Sequence, residues 1–376
     1  MAYHIPFQER YTPWRALLDV TTGRYPRFTF NGAIGGILPV FHFHDVTASH
    51  LEPYLAYLAC NGYRTIASDA IAEFVGQGRH PGSNCVALTF DDAWLSLWTV
   101  AVPLLREYGF TAIAFVSPSR VPEVEGIRRA EKGAAPAASE FASWVELKAM
   151  QASGIVDIQA HGYSHAMMFC DDAIAGFVTP GYDPPVHLRP LLNASESWRY
   201  ATPADLGCPL YAQRSRMSDA RRYLESIAAR ERCMERVKTE GGPAFFLRRD
   251  WESELRKAAG EAGGRYETPA EQRRAILDEL VLARETLNER LGTDTVRHMC
   301  FPYAVCGRVA ESLLKPAGYE TAFADRLFGF RAVTARQNRY RLMRLKHEFI
   351  LCLPGQGRRS FLQAVKPGPA GASETP

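Results

Sequence analysis

The chain has 376 residues and a mass of 41.9 kDa, enough for one large domain or two ordinary ones. Hydrophobic residues make up 47% and charged residues 23%, which excludes a disordered chain, a collagen or a coiled coil as a description of the whole. Lys and Arg number 44 against 41 Asp and Glu, and this balance does not predict a nucleic-acid or membrane-surface partner from bulk charge.

The cysteines and the hydrophobic segments bear on the cellular compartment. The chain has 8 cysteines, scattered without a Cys-x-x-Cys pair, which predicts reduced thiols rather than a disulfide framework. Its first residues lack a basic start followed by an apolar stretch, and no segment reaches the ~18 apolar residues of a membrane-spanning helix. We therefore expect a cytoplasmic protein, with peripheral attachment to a membrane as the alternative.

Strand-like and helix-like segments alternate from residue 37 to residue 165. Apolar runs predict strands at 37–44, 63–66, 85–90, 111–116 and 155–160. Helical spacing and capping residues predict helices at 49–60, from Ser68, at 100–108 and at 143–152. Repeated strand–helix units imply parallel strands, and hence an α/β fold with either a doubly wound sheet or a barrel.

The same rhythm returns near the end of the chain. Residues 268–271, Thr-Pro-Ala-Glu, combine a capping box with proline at the first helical position and predict a helix that ends at Gly292. Strands are predicted at 296–301 and 319–323, with a short helix at 310–316 between them.

The segment between these halves, 166–267, has a different texture. Proline-rich loops come first, and charged, helix-prone sequence follows from about 218 to 262. We interpret this segment as a largely helical insertion. Residues 132–139 are predicted to be a loop, and the Gly-, Pro- and Ala-rich tail at 361–376 is predicted to be disordered.

Polar residues with catalytic or metal-binding chemistry follow two of the predicted strands. Asp91 and Asp92 end one strand, and His161 and His165 follow another about 70 residues later. Each pair alone has an ordinary explanation, a helix cap with a surface acid or two unrelated histidines. Because strand ends converge on one mouth of an α/β barrel, an aspartate and two histidines there form a plausible zinc set, with the second carboxylate as a base.

These motifs resemble those of the polysaccharide deacetylases, the NodB-homology group of carbohydrate esterase family 4. The resemblance lies in Thr-Phe-Asp-Asp at 89–92, His-Gly-Tyr-Ser-His at 161–165 and Phe-Pro-Tyr at 301–303, in that order. It extends to the opening strand at 38–46 and the strand at 108–116.

The resemblance implies a distorted (β/α) barrel and a divalent metal, usually Zn²⁺. Asp92, His161 and His165 would hold the metal, and Asp91 would be the general base. The backbone N–H of Tyr303 would stabilise the oxyanion.

The sequence also departs from the family pattern. Ala93 and Ala304 stand where the family usually has glycine, and Cys300 stands where many members have an arginine that orients the base. The late Leu-x-His motif, which supplies the general acid, is matched by Leu345-Lys-His347, so His347 is a tentative acid. Arg344-Leu345 also matches a subgroup pattern without that histidine.

Further residues are candidates for contacts with a substrate. His44 is predicted to line the pocket, although a core histidine is an equal reading, and Pro302 and Tyr303 accompany the oxyanion position. Trp94 is a candidate wall for a sugar ring, against the simpler reading of core packing.

Together these observations predict a metal-dependent hydrolase that removes an N-acetyl group from an amino sugar. The expected partner is an N-acetylated sugar or a lipid- or nucleotide-linked glycan precursor, with no nucleic acid. Two alternatives stay open, namely hydrolysis of a non-carbohydrate amide and a non-catalytic carbohydrate-binding relative. The expected organisation is an N-terminal extension at 1–36, a barrel formed by 37–165 and 268–360, a capping insertion at 166–267 and the tail.

Overall fold

A computed structural model of the protein describes residues 13–22, 25–128, 141–193, 198–260, 263–324 and 331–364. The loop predicted at 132–139 lies outside these residues, as does the tail beyond residue 364.

The α-helices are α1 Pro13–Thr21, α2 Ala48–Cys60, α3 Ser68–Gln77, α4 Val102–Tyr108, α5 Trp144–Ala152, α6 Ile227–Thr239, α7 Trp251–Ala259, α8 Pro269–Leu291, α9 Arg308–Leu314 and α10 Phe361–Ala364. The strands are β1 Ile37–Leu38, β2 Val40–Phe43, β3 Arg64–Thr65, β4 Cys85–Asp91, β5 Ala112–Val116, β6 Val156–Ala160, β7 Met167–Phe177, β8 Pro190–Leu191, β9 Pro209–Ser215, β10 Tyr223–Leu224, β11 Arg265–Tyr266, β12 His298–Cys300, β13 Thr321–Phe323, β14 Val333–Thr334 and β15 Leu345–Lys346.

The chain divides into two compact units. Within the described residues, the larger one comprises 13–163, 280–304 and 314–364, and the smaller one comprises 164–279 and 305–313. None of the helices in the described part of the chain is long and apolar enough to span a membrane.

The larger unit is built on a parallel sheet. Its strands run in the order β13-β12-β6-β5-β4-β2-β15, and β3 also pairs with β4. Every residue of β4 and β5 is buried, which explains the nearly uninterrupted apolar runs in their sequences, since such strands are covered on both faces.

A short segment near the end of the chain bonds both edges of this sheet. The N–H of Leu342 donates to the carbonyl of Ala322, and its own carbonyl accepts from Ala324 beside β13. Three residues later, at Leu345, β15 begins and pairs in parallel with β2 at the other edge. The segment 342–346 therefore closes the sheet into a distorted barrel, and the predicted fold class is confirmed.

The capping box predicted at residues 268–271 is present, whereas Ser68, a predicted cap, lies inside α3 and its hydroxyl donates to Asp157 instead. The side chain of Glu271 accepts from the Thr268 N–H at 2.7 Å, and Thr268 Oγ1 accepts from the Glu271 N–H at 3.2 Å. Gly109 ends α4 with a left-handed φ of 71°, which costs glycine little.

The smaller unit contains more β-structure than the sequence predicted. The long strand β7 pairs antiparallel with β9 and parallel with β8, and helices α6 and α7 follow only later in the chain. The pairing of β7 with β9 has register shifts between Phe169 and Gly176, where Asp171 and Asp172 are exposed. These irregularities break the alternating pattern that would have marked a strand. The prediction that this insertion caps the site stays a prediction.

Candidate functional site

The Asp91–Ala93 turn lies at the C-terminal end of β4. Asp92 and Ala93 both adopt left-handed backbone conformations, with φ of 65° and 55°. This conformation is cheap for glycine and costs other residues roughly 1–2 kcal/mol. The turn therefore requires a positive φ at position 93, where the family pattern has glycine. Alanine adopts this conformation at a cost in conformational free energy.

Asp91 is bound by an arginine from a distant part of the chain. Nη1 of Arg344 donates to Oδ1 at 2.7 Å, and Nη2 donates to Oδ2 at 2.8 Å. Nη1 also donates to Oγ1 of Thr89 at 3.1 Å. Since two parallel bonds fix a carboxylate in both position and plane, Arg344 fills the orienting role that Cys300 leaves open.

The charge of Asp91 follows from this contact. Burial alone would raise the pKa of the Asp91 carboxyl, but the Arg344 guanidinium, with help from His161 and His44, holds it well below its usual range. Asp91 is therefore an anion at neutral pH.

His161 lies just after β6, and a backbone carbonyl orients its ring. Its Nδ1 lies 2.7 Å from the carbonyl oxygen of Cys300, and its Nε2 lies 3.8 Å from Oδ1 of Asp92. Since a carbonyl only accepts, Nδ1 carries the proton and Nε2 presents its lone pair towards Asp92. Burial lowers the pKa of His161, against the opposite effect of Asp91 and Asp92, and thus favours the neutral ring that metals bind.

The loop from His161 to His165 turns sharply through Gly162, whose φ is 72°. Ser164 is fixed by α8, since its N–H and its hydroxyl both donate to Oε1 of Glu279 at 2.7 Å. His165 is buried and has a φ of 54°.

The three predicted metal ligands come together. Asp92, His161 and His165 are buried, and one ligand atom of each lies within 4.8 Å of the others. One carboxylate and two imidazoles form the donor set that suits zinc and similar divalent ions. Nε2 of His161 and Oδ1 of Asp92 are 3.8 Å apart, which is too far for a hydrogen bond, and each atom can donate a lone pair to a metal ion. The residues present therefore fit a metal ion.

Cys300 belongs to a second such group, together with Asp91 and His161. Its side chain is buried at the end of β12. The space near Asp91 that an arginine at position 300 would use thus holds a small thiol, and the guanidinium comes from Arg344 instead.

Pro302 and Tyr303 lie in the helical turn Pro302–Ala304 that follows β12. Pro302 is buried and Tyr303 is partly exposed. Tyr303 and Ala304 both have a φ of 57°, so the family's second glycine position is also strained here.

His44 lies immediately after β2, beside Asp91. Its Nε2 is 3.8 Å from Oδ2 of Asp91, and its side chain is 45% exposed. The neighbouring His42 is oriented differently, with its ring edge-on to His44, and burial together with the Arg344 charge holds the pKa of His42 well below the usual value.

His347 is buried against Phe43, with ring centroids 4.9 Å apart. Its Nε2 lies 3.0 Å from Nε2 of His50, and its Nδ1 lies 3.3 Å from the carbonyl oxygen of His42. Protein atoms thus face both of its ring nitrogens.

Trp94 is partly buried. Its ring stacks on Phe141 with centroids 4.8 Å apart, and the two residues also form a backbone bridge. This contact agrees with the packing reading of Trp94, and its role as a sugar wall stays a prediction.

Comparison with known proteins bears on the segment that carries the two main motifs. Residues 78–202 match the family model described as polysaccharide deacetylase. The predicted resemblance to this family is confirmed. The putative polysaccharide deacetylase YxkH of Bacillus subtilis (strain 168) is 28% identical over 87 residues, which are 21% of this chain and 31% of that protein's length.

Solved structures of deacetylases are similar at low sequence identity. The Streptococcus pyogenes deacetylase PplD in complex with acetate is 12% identical with a TM-score of 0.48, covering 88% of this chain and 99% of that one. IcaB from Ammonifex degensii is 17% identical with a TM-score of 0.47, covering 83% and 92%. The BpsB deacetylase domain from Bordetella bronchiseptica is 17% identical with a TM-score of 0.48, covering 82% and 97%.

Sequence reasoning missed two partners in the site. It did not connect Arg344 with Asp91, or His50 with His347. The signal for Arg344 was the subgroup pattern together with the absence of an arginine at position 300. For His50, on the first turn of α2, the sequence offered no signal.

Proposed function

We propose that this protein is a metal-dependent hydrolase that removes an N-acetyl group from an amino sugar of a glycan or glycan precursor. One observation carries the proposal. The Asp91 carboxylate, held by two hydrogen bonds from Arg344, lies directly beside the group formed by Asp92, His161 and His165. The family description and the names of the similar proteins supply the substrate class.

We assign the roles of Asp91, Arg344 and the three metal-site residues from their contacts, and that of Tyr303 from the family resemblance. A divalent ion, most simply Zn²⁺, held by Asp92, His161 and His165 would polarise the acyl carbonyl and lower the pKa of a water. Asp91 accepts the proton of the attacking water, while Arg344 keeps the carboxylate in place. The backbone N–H of Tyr303 donates to the developing oxyanion.

The leaving amine needs a proton, and two histidines are candidates for the general acid. The geometry favours His44, because it is half exposed and its Nε2 lies 3.8 Å from the Asp91 carboxylate. His347 is the acid that the family motif predicts, but His50 and the His42 carbonyl occupy its ring nitrogens.

The proposal is tested by metal analysis and by product release. We expect about one divalent ion per purified chain, and mass spectrometry should detect loss of an acetyl group from N-acetylated amino sugars. His161→Ala and His165→Ala should each lose both the metal and the activity. His80→Gln is the matched control, since His80 lies outside the metal group and contacts the Ile37 carbonyl.

A protein that binds no divalent ion, or that keeps it in both histidine variants, would refute the metal centre. Release of ammonia rather than acetate from a panel of amides would point to a non-carbohydrate amide as the substrate. Metal binding without turnover, unchanged in Asp91→Asn, would indicate a non-catalytic carbohydrate-binding protein.

The acid is identified by comparing His44→Gln with His347→Gln. General acids contribute about 10²–10⁴-fold to a rate. We expect a kcat loss in that range for His44→Gln and a loss of only a few-fold for His347→Gln, measured as acetate release with the metal content verified. The reverse order would assign the acid to His347.

A further inference from the structure

Exposed apolar side chains gather on the larger unit where its two terminal segments meet. We call this the terminal patch, formed by Trp14, Leu17, Leu18, Phe30 and Leu362. Their exposed fractions are 78%, 53%, 54%, 52% and 70%. Other exposed large apolar residues in the described part of the chain occur one to an element or loop, so the patch is a concentration rather than ordinary scatter.

Helix α1 presents one apolar face to solvent. Trp14, Leu17 and Leu18 have the i, i+3, i+4 spacing that places side chains on one side of a helix. Asp19, on the other side, is fully buried and bound by the Arg331 guanidinium. This buried ion pair fixes the rotation of the helix and leaves the apolar side facing outwards.

The remaining parts of the patch are joined to α1 by contacts. The N–H of Tyr25 donates to the Asp19 carbonyl at 3.0 Å, and the Tyr25 ring lies 5.1 Å from that of Phe30. The Phe30 ring stacks on Phe361 of α10 at 5.2 Å, next to Leu362. A backbone hydrogen bond from α1 to Tyr25, followed by the ring contacts of Tyr25, Phe30 and Phe361, thus connects α1 with α10.

Two arginines lie close in sequence to the aromatic part of the patch. Arg27 is in the same helical turn as Phe30, and Arg359 lies two residues before Phe361. Arg27 and Arg359 are exposed, and neither forms an ion pair within the described residues.

We propose that the terminal patch docks on an anionic phospholipid bilayer. The tryptophan and leucines of a short amphipathic helix bury in the boundary between headgroups and acyl chains, and nearby arginines bind lipid phosphates. A second copy of this chain fits less well, since a symmetric contact would bring Arg27 and Arg359 of both copies together. This surface is independent of the proposed hydrolase activity.

Vesicle co-sedimentation of the full chain tests the proposal. We expect the protein to sediment with vesicles of phosphatidylcholine mixed with phosphatidylglycerol, far less with phosphatidylcholine alone, and less in high salt. The paired change Leu17→Ser and Leu18→Ser should lower the partition coefficient at least about tenfold. The paired change Arg27→Gln and Arg359→Gln should lower it about 25-fold, at roughly fivefold for each charge.

Leu247→Ser is the matched control, because Leu247 is an 87% exposed leucine of the smaller unit. Its partition should equal that of the parent, and circular dichroism should show every variant folded. Equal sedimentation with both vesicle types, or unchanged partition of the two paired variants, would overturn the proposal. So would a parent dimer in light scattering that becomes a monomer in the serine pair, because the patch would then join two copies.

Discussion

The barrel and the insertion each bury an arginine–carboxylate pair, and the two pairs differ in their surroundings. The side chains of Arg344 and Asp91 are 5% and 3% exposed, and those of Arg216 and Glu267 are 6% and 5% exposed. Burial therefore does not distinguish them, and their other contacts do.

The pair in the insertion is enclosed by backbone groups. Both carboxylate oxygens of Glu267 accept from Arg216 at 2.9 Å, and Oε1 also accepts from the Arg222 N–H. Nη2 of Arg216 donates to the Gln272 carbonyl. These bonds join the start of α8 to the segment that follows β9, which is a structural role.

The pair in the barrel has metal-binding and titratable side chains beside it. Asp91 is followed directly by Asp92 of the metal group, and the half-exposed His44 stands 3.8 Å from its Oδ2. The insertion pair therefore has the surroundings of a structural ion pair, whereas the barrel pair faces a donor cluster and an exposed histidine, which are the surroundings that the proposed role of Asp91 requires.

Among changes to the two buried pairs, the largest expected effect on the rate comes from Arg344→Lys. Lysine keeps the positive charge but cannot make two parallel bonds to Asp91, so the carboxylate loses its fixed plane. Misplacement of a reacting group by about 1 Å costs on the order of 10²-fold, and we expect kcat to fall by about that factor with little change in KM. Steady-state acetate release, with the metal content measured in parallel, tests this.

Glu271→Gln serves as the control for a change at an arginine-bound carboxylate, since the Arg265–Glu271 pair is exposed and lies outside the metal group. A parent-like kcat in Arg344→Lys would remove the distinction between the two buried pairs. Loss of the metal in that variant would show that Arg344 acts on the metal group rather than on Asp91.

Glu267→Gln should have the opposite profile, a loss of stability without a loss of rate. It leaves the buried Arg216 without its counter-charge, which costs about 3–5 kcal/mol in the free energy of unfolding. Urea denaturation measures that cost, and kcat of the folded variant should stay within about twofold of the parent. Asp278→Asn breaks an exposed pair with Arg274 and should change the free energy by about 1 kcal/mol or less.

The sequence predicted the parts of the site that lie at strand ends. Asp91 and His161 each come directly after a predicted strand, and parallel strands bring such ends to one edge of a sheet. The capping box at 268–271 needed only local hydrogen bonds and is present as predicted.

The parts that could not be predicted depend on contacts distant in sequence. Arg344 and Asp91 are 253 residues apart, and they meet only because the segment 342–346 bonds both edges of the barrel. The pairing of β7 with β9 likewise depends on a partner some 40 residues away and is interrupted by register shifts. Side-chain periodicity within one segment contains neither kind of information.

Backbone strain is a further difference between the barrel site and the rest of the described chain. Eight described residues other than glycine have positive φ, and five of them belong to the site motifs, namely Asp92, Ala93, His165, Tyr303 and Ala304. Two of these are alanines at family glycine positions, so the sequence retains a strain that glycine would relieve.

The smallest effect is expected from Ala304→Gly. Glycine removes roughly 1–2 kcal/mol of strain from the left-handed backbone. Because glycine also gives the unfolded chain more conformational freedom, it lowers the free energy of unfolding by about 0.4–1 kcal/mol. A net gain of about 0.5–1 kcal/mol in the free energy of unfolding should follow, visible as a higher urea midpoint. We expect kcat to fall about twofold, because a freer turn holds the Tyr303 N–H less firmly in its proposed position beside the oxyanion. Arg336→Gly is the matched control, since Arg336 has a φ of 59° in the turn after β14, outside the site motifs. It should gain stability and keep the parent kcat, whereas equal rate losses in both variants would mean that the strain at Ala304 has no connection with the site.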